Sequence, residues 1–192
     1  HGPLELFITA DEETGMYGAF GLEPGTLQGK LLMNMDSEDF GELYVGCAGG
    51  MDATIEWKYQ GVALPVGDIA LKVNITGLKG GHSGLEINLG RANANKLLFR
   101  FLKEAVSQYE ARLAKVEGGN MRNAIPREAY AIITVPAEAR EEIEKLVEEY
   151  RDLFNEEYKV TENPIIFTCE EVEAPEMLIP EEIQDDLINA VT

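Results

Sequence analysis

The stretch Ala70–Leu78, ALKVNITGL, alternates apolar and polar side chains along a short run of residues. The apolar set consists of Leu71, Val73 and Ile75, and the polar set consists of Lys72, Asn74 and Thr76. Strict alternation is typical of a strand that covers a core with one face and meets solvent with the other. The stretch therefore predicts one half-buried strand of a sheet.

The residues that follow this strand continue in an order that indicates a particular fold. Apolar residues at helical spacing predict two helices, and short apolar runs predict three further strands. The predicted segments are, in chain order, strand 70–78, helix 91–113, strands 113–119 and 128–135, helix 138–158 and strand 164–174. Strand–helix–strand–strand–helix–strand is the split βαβ, ferredoxin-like order, in which two helices cover one face of an antiparallel sheet.

The apolar runs that precede this region have a different character. Leu4–Ala10 and Lys30–Met35 lack alternation, as strands do when both faces of a parallel sheet are covered. Residues 42–60 indicate a glycine-interrupted pair of strands. We therefore predict an α/β fold in which one domain is interrupted by a ferredoxin-like βαββαβ domain. The expected segments are 1–64 and 176–192 for the interrupted domain and 65–175 for the insert.

The composition limits the partners and the cellular compartment of the chain. Sixteen Lys and Arg against 35 Asp and Glu give the 192 residues a formal net charge of −19. This charge argues against nucleic acids and anionic membrane surfaces, which attract clustered Lys and Arg. No apolar run is long enough to span a bilayer. Cys47 and Cys169 have no CxxC spacing, so they indicate free thiols of a reducing, cytoplasmic compartment. Because the first residue is not Met and Thr192 falls inside a helical pattern, we expect a piece of a longer protein.

Carboxylates follow both of the early apolar runs. Asp11, Glu12 and Glu13 come after the first run, and Asp36 comes after the second. Ligands of α/β sheets bind at the carboxyl ends of strands, where clustered carboxylates repel one another unless a divalent cation is bound. Successive residues of an extended chain point in opposite directions, so one Glu can bind metal while the other acts as a general base. Two alternatives stay open: a capped helix start or solvated turn for the three acids, and a helix N-cap for Asp36.

Two polar residues of the predicted insert are further candidates. His82 lies in the loop GLKGGHSGLEI, among glycines that allow the backbone to approach another molecule. Asn123, in NMRNAIP, can donate to an oxyanion or a carboxylate. The alternatives are a solvent-facing loop histidine and a turn residue before a proline. With only two histidines, the chain lacks the residues of a His-rich zinc site.

Four stretches taken together resemble one family. They are FITADEETGMYGAFGL (7–22), LLMNMDSEDFGELYVGCAGG (31–50), ITGLKGGHSGLEINLGRANANKLL (75–98) and GGNMRNAIPREA (118–129). Over almost its whole length the chain is similar to the aminoacyl-histidine dipeptidases, which are carnosinase-like members of the co-catalytic zinc peptidases. The resemblance implies an α/β catalytic domain interrupted by a ferredoxin-like lid, and the lid carries the contact of a homodimer.

The resemblance also implies a role for each candidate residue. Glu12 would be the general base that activates water, Glu13 would ligate one of two divalent metal ions, expected to be zinc, and Asp36 would ligate the other. His82 would reach the partner's active site and steady the oxyanion, and Asn123 would contact a small peptide substrate. The family's HxD motif, bridging Asp and final His have no counterpart in this sequence.

The expected function is the central portion of a cytoplasmic metallo-dipeptidase that hydrolyses Xaa-His dipeptides, and we expect this portion to be inactive by itself. Two alternatives stay open. The same site could serve an acylamino-acid deacylase or another small-peptide hydrolase of the superfamily, because the GGHSG loop is shared widely. Residues 66–174 could instead form a non-catalytic, ferredoxin-like dimerisation module.

Overall fold

The alternating stretch forms strand β1 (Asp68–Thr76), which lies inside a four-stranded antiparallel sheet. Its neighbours are β5 (Ala129–Pro136) on one side and β6 (Ile166–Val172) on the other, and β3 (Arg112–Gly118) pairs with the far side of β5. The order β3-β5-β1-β6 places the first and third strands of the βαββαβ unit at the centre of the sheet. The predicted ferredoxin-like order is confirmed.

The computed structural model describes residues 2–37, 39–47 and 49–192. Backbone contacts separate two units, His1–Thr54 and Ile55–Thr192. The sheet and the hydrophobic core belong to the second unit. None of the helices in the described residues is long and apolar enough to cross a membrane.

Helices α3 (Ala94–Tyr109) and α4 (Arg140–Glu157) cover one face of the sheet. Phe101 of α3 makes edge-to-face contacts with Phe167 of β6 and Tyr150 of α4, with ring centroids 5.2 and 5.9 Å apart. Such aromatic pairs contribute beyond the area that they bury. Other large side chains that are fully buried in the same core are Leu71, Ile75, Leu97, Leu98, Leu102, Leu113, Ile133, Ile143 and Phe154.

Helix α3 is shorter than the apolar pattern of residues 91–113 indicates. The Asn93 side chain accepts a hydrogen bond from the Lys96 N–H at 3.2 Å and caps the first turn. Glu110 has a φ of 55° and ends the helix in the left-handed conformation. Apolar spacing therefore located the helix, whereas capping geometry set its two ends.

The second unit continues beyond the ferredoxin-like elements at both ends. Val62 and Leu178 pair through two backbone hydrogen bonds of 3.0 and 2.8 Å. Helix α5 (Glu181–Val191) packs against α3, and its Ile188 side chain joins the core. The expected domain division at residues 65 and 175 stays a prediction, while the observed unit includes residues on both sides of it.

The two apolar runs of the first unit are not strands in this structure, and that part of the prediction is wrong. Residues 4–10 and 30–35 form no ladder, and Leu6 and Leu31 are 88% and 95% exposed. The strand pair expected in 42–60 is also absent where that segment is described. A strand is stable only beside a hydrogen-bonded neighbour. Within the described residues these runs pair neither with each other nor with another segment, so their apolar side chains are not covered.

The two cysteines differ in their surroundings, and this difference predicts their reactivity. Cys47 is exposed, whereas Cys169 of β6 is half-buried, and burial raises the pKa of its thiol to about 11. At pH 8 a thiol with that pKa is about 0.1% thiolate, and the thiolate is the form that reacts. With a colorimetric disulfide reagent at pH 8, we expect the Cys169 thiol to react about 100-fold more slowly than the Cys47 thiol.

The control for this prediction is Cys47→Ser, which should leave only the slow phase. Because the pKa of Cys169 is raised, its rate should rise about tenfold per pH unit until the pH approaches that pKa. Two equally fast thiols at pH 8 would contradict the prediction.

Candidate functional site

A short two-stranded sheet brings two of the candidate residues together. Strand β2 (Gly81–His82) pairs with β4 (Ala124–Ile125), and the Ser83 N–H donates to the Asn123 carbonyl at 2.9 Å. His82 and Asn123 consequently line the same cavity, which has a volume of about 820 Å³. Its other polar lining residues include Asn74, Lys79, Glu117, Arg127 and Tyr130.

The glycine before His82 is required by the close packing of its loop. Gly81 has a φ of +146°, which L side chains rarely adopt. A Cβ at this position would lie 2.5 Å from Arg91 Nη1 and 2.8 Å from Glu86 Oε2. The backbone beside His82 is therefore in direct contact with an Arg–Glu pair, and the sequence analysis did not identify this pair.

Glu86 and Arg91 stabilise the loop of residues 80–91, which contains His82. Glu86 Oε2 accepts the His82 N–H at 2.8 Å, and Glu86 Oε1 pairs with Arg91 Nη2 at 2.8 Å. The hydrogen bond from His82 and the nearby Arg91 charge lower the pKa of the Glu86 carboxyl. The sequence offered a weak signal for this arrangement, since an acid four residues after the histidine can reach back to its N–H.

Glu162 is a second residue that the sequence analysis missed. The residue is only 8% exposed, and its carboxylate accepts the Lys79 N–H at 2.8 Å and the Ala92 N–H at 2.9 Å. The Lys79 ammonium also donates to the Thr161 carbonyl at 2.6 Å. The turn after α4 thereby holds both ends of the segment that carries His82. No local sequence pattern predicts a contact between residues that are 70 positions apart.

One wall of the cavity is a charged cluster on the outer face of the sheet. Glu117 pairs with Lys115 at 2.7 Å and accepts the Tyr130 hydroxyl at 2.6 Å. These two hydrogen bonds lower the pKa of Glu117, and the carboxylate raises the pKa of Lys115. The Lys72 ammonium lies 5.0 Å from the centre of the Tyr130 ring. Glu117 and Lys115 therefore stay ionised near neutral pH, and Glu117 and Tyr130 offer polar contacts to a ligand in the cavity.

The acids of the first unit occupy turns and helix starts. Glu12 and Glu13 open the short helix α1 (Glu12–Gly15), after Asp11, which has a φ of 60°. A second short helix, α2 (Tyr17–Phe20), follows. All three acids are exposed, and the structure realises the helix-start alternative for their local conformation.

Within the described part of the chain, these acids do not form part of a cluster of three or more possible metal ligands. Asp36 is exposed, and its N–H donates to the Asn34 side chain at 3.1 Å. Among residues 2–37, 39–47 and 49–192, no group of three or more His, Cys, Asp or Glu side chains could hold a metal ion. The acids present therefore do not fit a complete metal centre. The roles of Glu12, Glu13 and Asp36 stay predictions.

Part of the second unit is similar to a known protein family. Residues 73–162 match the profile described as the peptidase dimerisation domain. The matched span runs from within β1 to the turn after α4 and lies inside the predicted ferredoxin-like insert.

Two relatives extend the similarity beyond the dimerisation domain. The chain is 45% identical over 172 residues to the cytosol non-specific dipeptidase of Escherichia coli (strain K12). The aligned region covers 90% of this chain and 36% of that protein. It also matches the crystal structure of aminoacylhistidine dipeptidase from Vibrio alginolyticus with a TM-score of 0.76 and 42% identity, over 95% of this chain and 37% of that one. The resemblance to aminoacyl-histidine dipeptidases is confirmed. The chain spans little more than a third of the length of either relative.

Proposed function

We propose that this chain is the central portion of a metal-dependent dipeptidase that hydrolyses Xaa-His dipeptides in the cytoplasm, and that its dimerisation domain joins two copies. The observation that carries this proposal is the 42% identity to an aminoacylhistidine dipeptidase over 95% of the chain. The relative named a non-specific dipeptidase favours a second candidate, a broader preference for dipeptides.

His82 and Asn123 are proposed as the substrate-contacting residues of the dimerisation domain. They line one cavity, and the glycine-rich loop exposes the imidazole. A hydrogen-bond donor aimed at the scissile carbonyl oxygen stabilises the negative charge that develops there in the transition state. His82 suits that role, and the Asn123 amide suits contact with a substrate carboxylate or carbonyl.

Glu12 is proposed as the general base of the first unit, and Glu13 and Asp36 are proposed as its metal ligands. Glu12 would accept a proton from the attacking water, and Glu13 and Asp36 would be ligands of two divalent ions, for which we propose zinc. When bound, such ions polarise a carbonyl and acidify water. A complete centre needs further donors, from segments that the relatives have and that the 36% share matched here does not include.

A chimera tests the proposed function. Residues 1–192 would replace the matched segment of the Escherichia coli relative, and hydrolysis would be followed for an Xaa-His dipeptide, a dipeptide without His and an N-acyl amino acid. We expect dipeptide hydrolysis with preference for Xaa-His. Within this chimera, His82→Ala should lower kcat by about 10²–10³, the usual loss for one oxyanion donor.

The matched control is His1→Ala, which removes the other histidine of the chain and should leave kcat unchanged. Light scattering and circular dichroism show whether each chimera dimerises and folds. A folded chimera that hydrolyses only the N-acyl amino acid would support the deacylase alternative. A folded chimera whose His82→Ala variant keeps full activity would refute the proposed role of the histidine.

A further inference from the structure

We propose that the loop of residues 80–91 holds the His82 imidazole in the neutral tautomer that carries its proton on Nε2, and that Glu86 and Arg91 are the positioning residues of this ring. The catalytic meaning of this arrangement rests on the proposed function, whereas the arrangement itself is a property of the chain. It turns the histidine into a hydrogen-bond donor of fixed direction.

The first step of the argument concerns the ring nitrogens of His82. Nδ1 accepts the Gly84 N–H at 3.0 Å and the Leu85 N–H at 3.1 Å. A neutral imidazole has one acceptor nitrogen and one N–H donor. A nitrogen that receives two backbone N–H groups cannot also carry a proton, so the proton lies on Nε2. The ring then presents an N–H, which is the group that an oxyanion requires.

The second step concerns the backbone of His82. Its N–H donates to Glu86 Oε2 at 2.8 Å, and its carbonyl accepts the Glu86 N–H at 3.1 Å. Two hydrogen bonds between the same two residues close the turn that contains Gly84 and Leu85. The two N–H groups that bind Nδ1 are therefore held in place by the residue that also fixes the His82 backbone.

The third step concerns the charge that holds Glu86 itself. Arg91 Nη2 pairs with Glu86 Oε1 at 2.8 Å, while Arg91 Nη1 donates to the Gly80 carbonyl at 2.5 Å. The guanidinium thereby joins the carboxylate to the start of the loop. Planar forks of this kind give an ion pair a defined geometry. The lowered pKa of Glu86 keeps the carboxylate ionised into the acidic range.

Removal of the Glu86 carboxylate should release the ring. In Glu86→Ala the His82 N–H loses its acceptor and Arg91 loses its carboxylate partner, so the turn keeps only the backbone hydrogen bond from residue 86 to the His82 carbonyl. We expect the imidazole then to exchange between both tautomers, as it does in a short peptide. Glu86→Gln keeps an oxygen for the His82 N–H but not the charge, and we expect an intermediate result.

Nitrogen NMR on the full chain tests the proposal directly. Since the chain has only two histidines, the His1→Ala variant leaves one imidazole to observe. The ring ¹⁵N shifts would be measured at a pH where imidazole is neutral, with a synthetic peptide of residues 80–86 as the reference. We expect a single tautomer with Nδ1 unprotonated, and amide exchange at Gly84 and Leu85 about tenfold slower than in the peptide.

The variants separate positioning from general stability. Glu148→Gln, on the exposed face of α4, makes the same change of charge away from the loop and should leave the ring shifts unchanged. If the His82 ring ¹⁵N shifts in the parent chain matched those in the reference peptide, the proposed tautomer would be wrong. Ring shifts unaltered by Glu86→Ala would overturn the positioning role.

Kinetics in the chimera provide the second readout. Glu86→Ala should lower kcat about tenfold, since the donor loses its fixed direction, and should change KM less than twofold. An inactive parent chimera would count against the proposed function alone, because the NMR result decides the tautomer independently. An active chimera whose kcat is unchanged by Glu86→Ala would count against the positioning role alone.

Discussion

Glu12→Gln in the chimera is expected to lower kcat for dipeptide hydrolysis by about 10²–10⁴, the usual cost of losing a general base. The amide keeps the size of the side chain but cannot accept a proton from water. Metal content, measured by elemental analysis, should stay at the parent level, because the role proposed for Glu12 is proton transfer. The neighbouring Glu13 is proposed as a ligand, so Glu13→Gln should lower the metal content as well as kcat.

Glu23→Gln is the matched control, because it makes the same change at another exposed acid of the first unit. It should leave kcat and metal content unchanged. A Glu12→Gln variant with the parent kcat would remove the proposed base. Loss of metal in Glu12→Gln would reassign Glu12 from base to ligand.

Mixing two inactive variants tests whether His82 acts across the dimer. If one protomer's His82 serves the site that contains its partner's Glu12, a His82→Ala and Glu12→Gln heterodimer has one intact site and one site with both changes. Random pairing should then restore about a quarter of the parent activity, since half of the dimers are mixed. Absence of any recovery after the subunits have exchanged would show that both residues act within one chain.

Phe101→Ala is expected to have the largest effect on stability, a loss of about 3–5 kcal/mol in the free energy of unfolding. The side chain is fully buried and contacts the rings of Tyr150 and Phe167. Its removal leaves a cavity between both helices and the sheet, which the rigid neighbouring rings fill only in part. Urea denaturation followed by far-ultraviolet circular dichroism measures the loss.

Phe20→Ala is the matched control, since it deletes the same atoms from a side chain that is 82% exposed. Its effect should stay within about 0.5 kcal/mol, as is usual for surface substitutions. If both variants lost the same stability, the assignment of the core to the helix-covered face of the sheet would be wrong.

The ferredoxin-like order could be predicted because it rests on patterns between near neighbours in sequence. Alternation in residues 70–78 and helical spacing in 138–158 depend on the two backbone periods alone. The same logic failed for residues 4–10 and 30–35. An apolar run without alternation carries no strand period, and whether it becomes a strand depends on a neighbour to which it can bind. Within the described residues no such neighbour is present.

The residues of the candidate site also differ in whether the sequence could predict them. The resemblance identified His82 and Asn123 one residue at a time, and the structure shows that they share a cavity. The residues that hold the loop were not predictable. Glu162 reaches the Lys79 and Ala92 N–H groups across 83 and 70 positions, and nothing local marks it.

By itself, the sequence determined the order of strands and helices in the dimerisation domain, the glycine-rich position of His82 and the acidic character of the chain. Only the tertiary structure decided which nitrogen of His82 carries the proton, because that depends on the Gly84 and Leu85 N–H groups to which the folded turn brings the ring. Periodicity is a property of the extended sequence. The direction of a hydrogen-bond donor is a property of the atoms that surround it after folding.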